Sequence, residues 1–204
     1  THYGKTPPCS NFIIKSKIKE VIFSIIDVDK RTKSKSFKVF KDKNIKVKSG
    51  LLKNEANKIY KSYIHNKNKK LPFVIGKLAV SKDNFIFSKN KNRITNRYSD
   101  NITQLLRYKN DAILISSKTL NIDNPKLNCR IRGLSKHSPR RVILDNNLST
   151  KQTSYIFRTS NRKNTIVIYS KGTEKKINQF KMKGIKLIKL NNNNNGFFDL
   201  KLVL

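Results

Sequence analysis

Short β-branched runs separated by stretches of helical length restrict this chain to alternating α/β architectures. Each run is short for a helix and too apolar for a loop. Residues 21–26 form one such run, closed by Asp27-Val28-Asp29, and residues 45–48 form another ahead of Gly50. Around them lie helical patterns: residues 10–18 with Ser10 as N-cap, residues 37–40, and residues 51–64, where Leu52, Ala56, Ile59, Tyr60 and Tyr63 share one face. That αβαβα order suits part of a three-layer domain. In the second half, residues 73–81 read as a central strand covered on both faces, broken by Gly76 and Lys77, and residues 84–87 as a further extended piece. Residues 98–108 predict a helix presenting Ile102, Leu105 and Leu106 on one face. Strands are expected over 111–115, 142–144, 155–157, 165–169 and 185–190, with a helix over 174–183, which together predict an open α/β sheet. The polar stretch Asn66-Lys67-Asn68-Lys69-Lys70 reads as a hinge, so two domains are expected, over residues 1–65 and 71–204, with a linker at 66–70. The asparagine run 191–195 reads as an exposed low-complexity loop.

Charge raises one rival function. With 46 Lys plus Arg against 12 Asp plus Glu, the net charge is +34, and an RNA-binding protein of ribosomal type must be weighed. The positive residues are spread along the whole chain, Lys far outnumbers the better phosphate fork Arg, and the aromatics Phe23, Phe73 and Phe157 sit inside apolar runs. This pattern argues for compositional drift over the surface and against nucleic acid as the partner. A broad positive field still attracts phosphorylated small molecules. The two cysteines, Cys9 and Cys129, make no disulfide framework and fit a cytoplasmic location. No apolar run reaches membrane-span length, so no membrane partner is expected. The chain does not open on Met and reads as a fragment.

Chemistry concentrates in a few places. Pro7 and Pro8 stiffen an extended loop that delivers Cys9 to a helix start, a favourable place for a metal-binding thiol; a proline-rich turn carrying an ordinary buried cysteine gives the same spacing. Ser116-Ser117-Lys118-Thr119 lies where a strand ends, able to bind phosphate or ribose or merely to cap the next helix. Pro125 is expected to hold Asn124 extended, so that Asp123 and Leu127 stand on a constrained loop. Asp123 can accept from amides or hydroxyls, and Arg130 can grip a phosphate with two parallel bonds. Arg107 at a helix end would be a second cation, or only a solvated charge favoured by the helix dipole. Lys77 in an apolar run calls for an anionic partner. No G-x-G-x-x-G follows a predicted strand, which leaves an ordinary dinucleotide-binding unit unsupported. His2, His65 and His137 are scattered and read as loop histidines, Cys129 as a packing residue, and Asp27 and Asp29 as turn formers that could also face a ligand.

The opening string Thr1-His2-Tyr3-Gly4-Lys5-Thr6-Pro7-Pro8-Cys9 is similar to the second half of a zinc-deaminase cysteine loop. With Leu71-Pro72-Phe73-Val74, Lys77-Leu78-Ala79-Val80-Ser81, residues 111–115, Asp123-Asn124-Pro125-Lys126-Leu127-Asn128-Cys129-Arg130 and residues 139–145, in this order, it resembles the RibD family of bifunctional riboflavin-biosynthesis deaminase/reductases. The resemblance spans nearly the whole chain. It implies the C-terminal part of a cytidine-deaminase-like three-layer domain, followed by a dihydrofolate-reductase-like domain. It implies Zn2+ and NADPH as cofactors and a phosphorylated pyrimidine as the small-molecule substrate. The activities implied are deamination of a phosphoribosylaminopyrimidine and NADPH-dependent reduction of its ribose to ribityl; a homo-oligomer is left open. By resemblance Cys9 is a zinc ligand, Ala79, Thr119 and Asp123 contact the cofactor, and Arg107, Leu127 and Arg130 contact the substrate. No deaminase catalytic residue is present, since the family's His, Glu and first Cys would lie upstream, and the late Glu-Gly-Gly segment is absent too. Further departures are Ser81-Lys82-Asp83-Asn84 where the family has Ser-x-Asp-Gly, Arg93 where it has Trp, and Asn146 where it has Ser. These departures also allow an inactive relative.

Overall fold

A computed structural model describes Tyr3, residues 5–86 and residues 94–204. The chain divides into two units at Gly76 and Lys77. In the first, helix α1 (Cys9–Lys15) leads into strand β1 (Glu20–Phe23), helix α2 (Lys35–Lys41), strand β2 (Lys46–Ser49) and helices α3 (Lys53–Ile59) and α4 (Lys61–Lys69). β1 and β2 pair in parallel, Val21 opposite Val47, with α2 as the crossover. The α/β alternation of the sequence is present, with local corrections. Pro8, not Ser10, is the residue that caps α1, and Ser10 is buried inside the first turn. Residues 51–64 are not one helix: the chain breaks at Tyr60, and of the expected face only Ala56 is buried while Leu52, Ile59, Tyr60 and Tyr63 are exposed. The expected linker 66–70 is largely the last turn of α4.

The second unit carries helix α5 (Arg97–Lys109), strand β3 (Ala112–Ser116), helix α6 (Ser117–Asp123), strand β4 (Arg140–Leu144), helix α7 (Tyr155–Arg158), strand β5 (Thr165–Tyr169), helix α8 (Glu174–Met182), strand β6 (Lys186–Lys189) and a last turn α9 (Leu200–Val203). The four strands pair in parallel in chain order, β3-β4-β5-β6. Helices α6, α7 and α8 are the crossovers, and their apolar residues Leu120, Ile156, Phe157 and Phe180 pack on Ile143 and Val167 of the central strands to form the core. Phe157 and Phe180 meet edge to face at 5.1 Å, a geometry that favours the ring quadrupoles.

Two expected strands are absent. Residues 155–157 are helical because Ser154 accepts the Phe157 amide and caps a turn there; three apolar residues carry no period to decide between the two states. Residues 73–81 pair with no strand among the described residues. Phe73 instead lies edge-on to His65, with the Lys61 ammonium 5.3 Å from its ring centre, and Lys77 is exposed, so it needs no anionic partner. Ser81 then closes a tight turn, its amide donating to the Phe85 carbonyl and its hydroxyl accepting the Phe85 amide. Asn84 takes φ +67 in this turn, a left-handed conformation that asparagine tolerates. The extended piece expected over 84–87 is this turn as far as residue 86, and Phe87 lies outside the described residues, as do Arg93 and His2. Among the described residues no helix is long and apolar enough to cross a membrane.

Candidate functional site

The chemistry of the second unit gathers around α6 and the loop that follows it. α6 starts where β3 ends. Ser116 caps it by accepting the Thr119 amide at 3.2 Å, and the two hydroxyls are also 3.2 Å apart. Thr119 and Asp123 are four residues apart, hence on one face of the helix, and both are exposed, whereas Leu120 beside them is fully buried in the core. One side of α6 is therefore anchored and the other offers a hydroxyl and a carboxylate.

The loop after α6 is held at nearly every residue. Asn124 is not extended: it ends the helix in the left-handed region, φ 43, a conformation asparagine tolerates, and its side-chain oxygen accepts the Tyr155 amide at 2.7 Å. Lys126 lies over the Tyr155 ring, 5.4 Å from its centre. Leu127, also left-handed at φ 55, drives its side chain into the core, so only its main chain faces outward. Cys129 is buried, as a packing residue would be; its amide donates to the Ser138 hydroxyl at 3.1 Å and its thiol is 3.9 Å from the Gln104 carbonyl. Arg130 follows with its amide 2.9 Å from Gln104 Oε1 and its guanidinium exposed.

Helix α5 supplies the other half. Arg107 is half-buried and donates from Nη1 to the Asn128 carbonyl at 3.2 Å, while its Nε and the Asn128 side-chain oxygen are both buried without a partner among the described residues. Removal from water, and next the positive charge of Arg130, push the Arg107 guanidinium below its ordinary basicity; Asp100 acts the other way. A half-buried guanidinium with an unused Nε, joined through one loop to a second arginine, has the chemistry to bind an anion. Arg107 and Arg130 are thus brought together, and Leu127 lies between α6 and Arg130 on the same loop. Ala79 is half-buried in the unpaired 73–81 segment. Gln104, Asn128 and Ser138 escaped the sequence reading. Gln104 is a polar residue buried on a helix whose expected apolar face residues Ile102 and Leu105 are exposed, and helical periodicity carries no signal for that.

In the first unit Cys9 is exposed at the start of α1, and no group of three or more His, Cys, Asp or Glu able to hold a metal occurs among the described residues. Cys9 alone does not make a zinc site. A cavity of about 420 Å³ is lined by Cys9, Phe23, Asp27, Thr32 and Phe37. Asp27 is already engaged, accepting from the Asp29 amide, the Thr32 hydroxyl and the Tyr63 hydroxyl. Asp29 is ion-paired to Arg31 and Lys67, both at 2.7 Å. Both aspartates act as turn formers.

The model of the RibD C-terminal domain family matches residues 72–204. The riboflavin biosynthesis protein RibD of Bacillus amyloliquefaciens is 34% identical over 158 residues, 76% of this chain and 42% of that protein. RibD of Aquifex aeolicus is 29% identical over the whole chain and 56% of its own length. The chain spans about half the length of the curated relatives it matches. Among solved structures, Acinetobacter baumannii RibD superposes with a TM-score of 0.77 at 23% identity, over 96% of this chain and 55% of that one. A diaminohydroxyphosphoribosylaminopyrimidine deaminase/5-amino-6-(5-phosphoribosylamino)uracil reductase of Thermotoga maritima gives 0.71 at 26%, over 94% of this chain and 59% of that one. The α/β fold with its parallel sheet is therefore that of RibD proteins.

Proposed function

Because this chain belongs to the RibD C-terminal domain family, we propose that its second unit is the substrate-holding part of a reductase of riboflavin biosynthesis, acting on 5-amino-6-(5-phosphoribosylamino)uracil. The observation that carries this reading is the joining of Arg107 and Arg130 by one loop and one helix, with Arg107 partly withdrawn from water. In this reading the two guanidinium groups clamp the sugar phosphate, and the outward main chain at Leu127 borders the sugar. Thr119 and Asp123, on the open face of α6, would hold NADPH through its hydroxyl and amide groups, with Ala79 as the small residue beside the nicotinamide. The exposed hydroxyl and carboxylate four residues apart suit such a ligand. NADPH, when bound, would supply the hydride that C1′ of the opened ribose takes up, with a proton from water, on becoming the ribityl chain. The protein's own task is alignment, so anchoring cations weigh more than any acid or base.

For the first unit the finer reading is part of a cytidine-deaminase-like domain, with Cys9 as one zinc ligand. Among the described residues Cys9 has no neighbouring His, Cys, Asp or Glu set with which to hold a metal. The test is steady-state oxidation of NADPH by the intact protein with the aminouracil ribose-phosphate. Arg130→Ala is expected to raise KM for that substrate about 10- to 100-fold, the weight of a charge-assisted pair of hydrogen bonds. Unchanged kinetics would remove Arg130 from the site.

A further inference from the structure

Helix α5 is amphipathic by sequence, yet the side chain it buries is an amide. Gln104 is 9% exposed while Ile102 and Leu105 on the same helix are 42% and 38% exposed. A buried amide is retained against the cost of desolvation only if its hydrogen bonds are used. Gln104 Oε1 accepts the Arg130 amide at 2.9 Å, and the Gln104 carbonyl lies 3.9 Å from the Cys129 thiol. Three residues further along the same face, Arg107 donates to the Asn128 carbonyl at 3.2 Å. From the other side, Ser138 accepts the Cys129 amide at 3.1 Å and donates to the Ser135 carbonyl at 2.7 Å. Residues 128–130 are therefore clamped between α5 and the 3-10 turn Ser135–His137, and the last bond before the exposed Arg130 guanidinium is the one from Gln104.

We infer that Gln104 is a positioning residue for substrate anchoring: its side-chain oxygen fixes the Arg130 backbone so that the Arg130 guanidinium stands beside that of Arg107. The inference rests on the reading of these arginines as the phosphate clamp. It goes beyond it by assigning the geometry of that clamp to a residue that touches no ligand. A guanidinium on a long side chain loses little of its charge when its backbone is freed; what it loses is orientation, and with it the simultaneous grip of two cations on one anion. Substrate affinity should fall without damage to the cofactor side, because Thr119 and Asp123 are fixed separately through α6 and Leu120.

The intact protein is assayed with NADPH and the phosphorylated aminopyrimidine. Gln104→Met keeps the volume and removes the acceptor, and is expected to raise KM for the phosphorylated substrate about fivefold, as the loss of one hydrogen bond does, with kcat and the KM for NADPH within about twofold. In an Arg130→Ala background the same substitution is expected to change nothing further, because the group it positions is gone. Gln104→Asn, which withdraws the acceptor by one methylene and keeps the amide, should shift KM in the same direction and serves where the Met variant does not fold. Equal effects in both backgrounds, or an equal rise in the KM for NADPH, would mean that Gln104 only supports the fold and would overturn the inference. So would an unchanged KM in Gln104 variants of a protein that does respond to Arg130→Ala. If Arg130→Ala itself leaves KM unchanged, the clamp reading fails first and this inference falls with it.

Discussion

Asp145 sets the conformation of the turn after β4. It is fully enclosed, and each carboxylate oxygen accepts two bonds: Oδ1 from the Ser149 amide and hydroxyl at 2.7 and 2.8 Å, Oδ2 from the Thr150 amide and hydroxyl at 2.8 and 2.7 Å. The turn carries its position onward, because Asn121 of α6 donates to the Ser149 carbonyl and accepts the Lys151 amide. One carboxylate thus ties the end of β4 to the helix that presents Thr119 and Asp123. Asp145→Ala would leave the two enclosed Thr150 donors without an acceptor, whereas the Ser149 donors are open to water, and such losses cost about 3 kcal/mol. Urea unfolding of the intact protein should show the midpoint falling by the corresponding amount, and a midpoint within error of the parent would mean that water replaces the carboxylate freely. In the residue after it, Asn146, the carbonyl accepts the Ser170 and Lys171 amides, and the side-chain oxygen is buried without a partner among the described residues.

At the scale of elements, the first unit is tied together by loop 27–32 and helix α4. Asp29 accepts from the Arg31 amide and guanidinium and from Lys67 of α4, and Asp27 accepts from Tyr63 of the same helix. Hydrogen bonds from Arg31, and then from Lys67, hold the Asp29 carboxyl far below its ordinary value of 3.8. A folded-state value below the unfolded one gives stability that is fully present above about pH 5 and is lost as pH falls below it, because the unfolded chain takes up the proton first. The urea midpoint is therefore expected to fall between about pH 5 and about pH 2, and Asp29→Asn should flatten that part of the profile. A variant with the parent's acid profile would exclude Asp29 as its source. Much of this architecture was legible in the residues: the α/β alternation, a helix expected over 98–108 and found over 97–109, most strands of the second unit's open sheet and the positive φ of Asn84 all follow from pattern and turn chemistry. Three kinds of feature were not. Residues 155–157 are too few to show a period, and the capping serine decided them. Residues 73–81 have the composition of a strand, but strand formation needs a partner, and composition names none. Gln104 could not be found because burial of a polar side chain depends on a loop more than twenty residues away. The arginines were legible as cations because charge is a local property, whereas the bonds that orient them are not, and Asp123, expected on a loop, ends helix α6.

Over the whole molecule, a net charge of +34 on 204 residues sets two tendencies against each other. Like charges repel within the folded chain, and ion pairs offset little of this, since 12 acidic residues face 46 basic ones. The same field draws in anions, and both NADPH and a sugar phosphate are anions. Salt screens both effects, with a Debye length near 10 Å at about 0.1 M. Raising sodium chloride from about 0.02 M to about 0.3 M is thus expected to raise Tm by a few degrees, as self-repulsion is relieved, while raising the KM values for NADPH and the phosphorylated substrate several-fold, as steering is lost. The pairing of opposite trends is the diagnostic, because an ordinary salt-bridged fold would lose stability and affinity together. A fall in Tm over this range would mean that the charges are locally compensated. A KM unmoved by salt would mean that the distributed lysines contribute nothing at the ligand, and that Arg107 and Arg130 act there as a short-range pair.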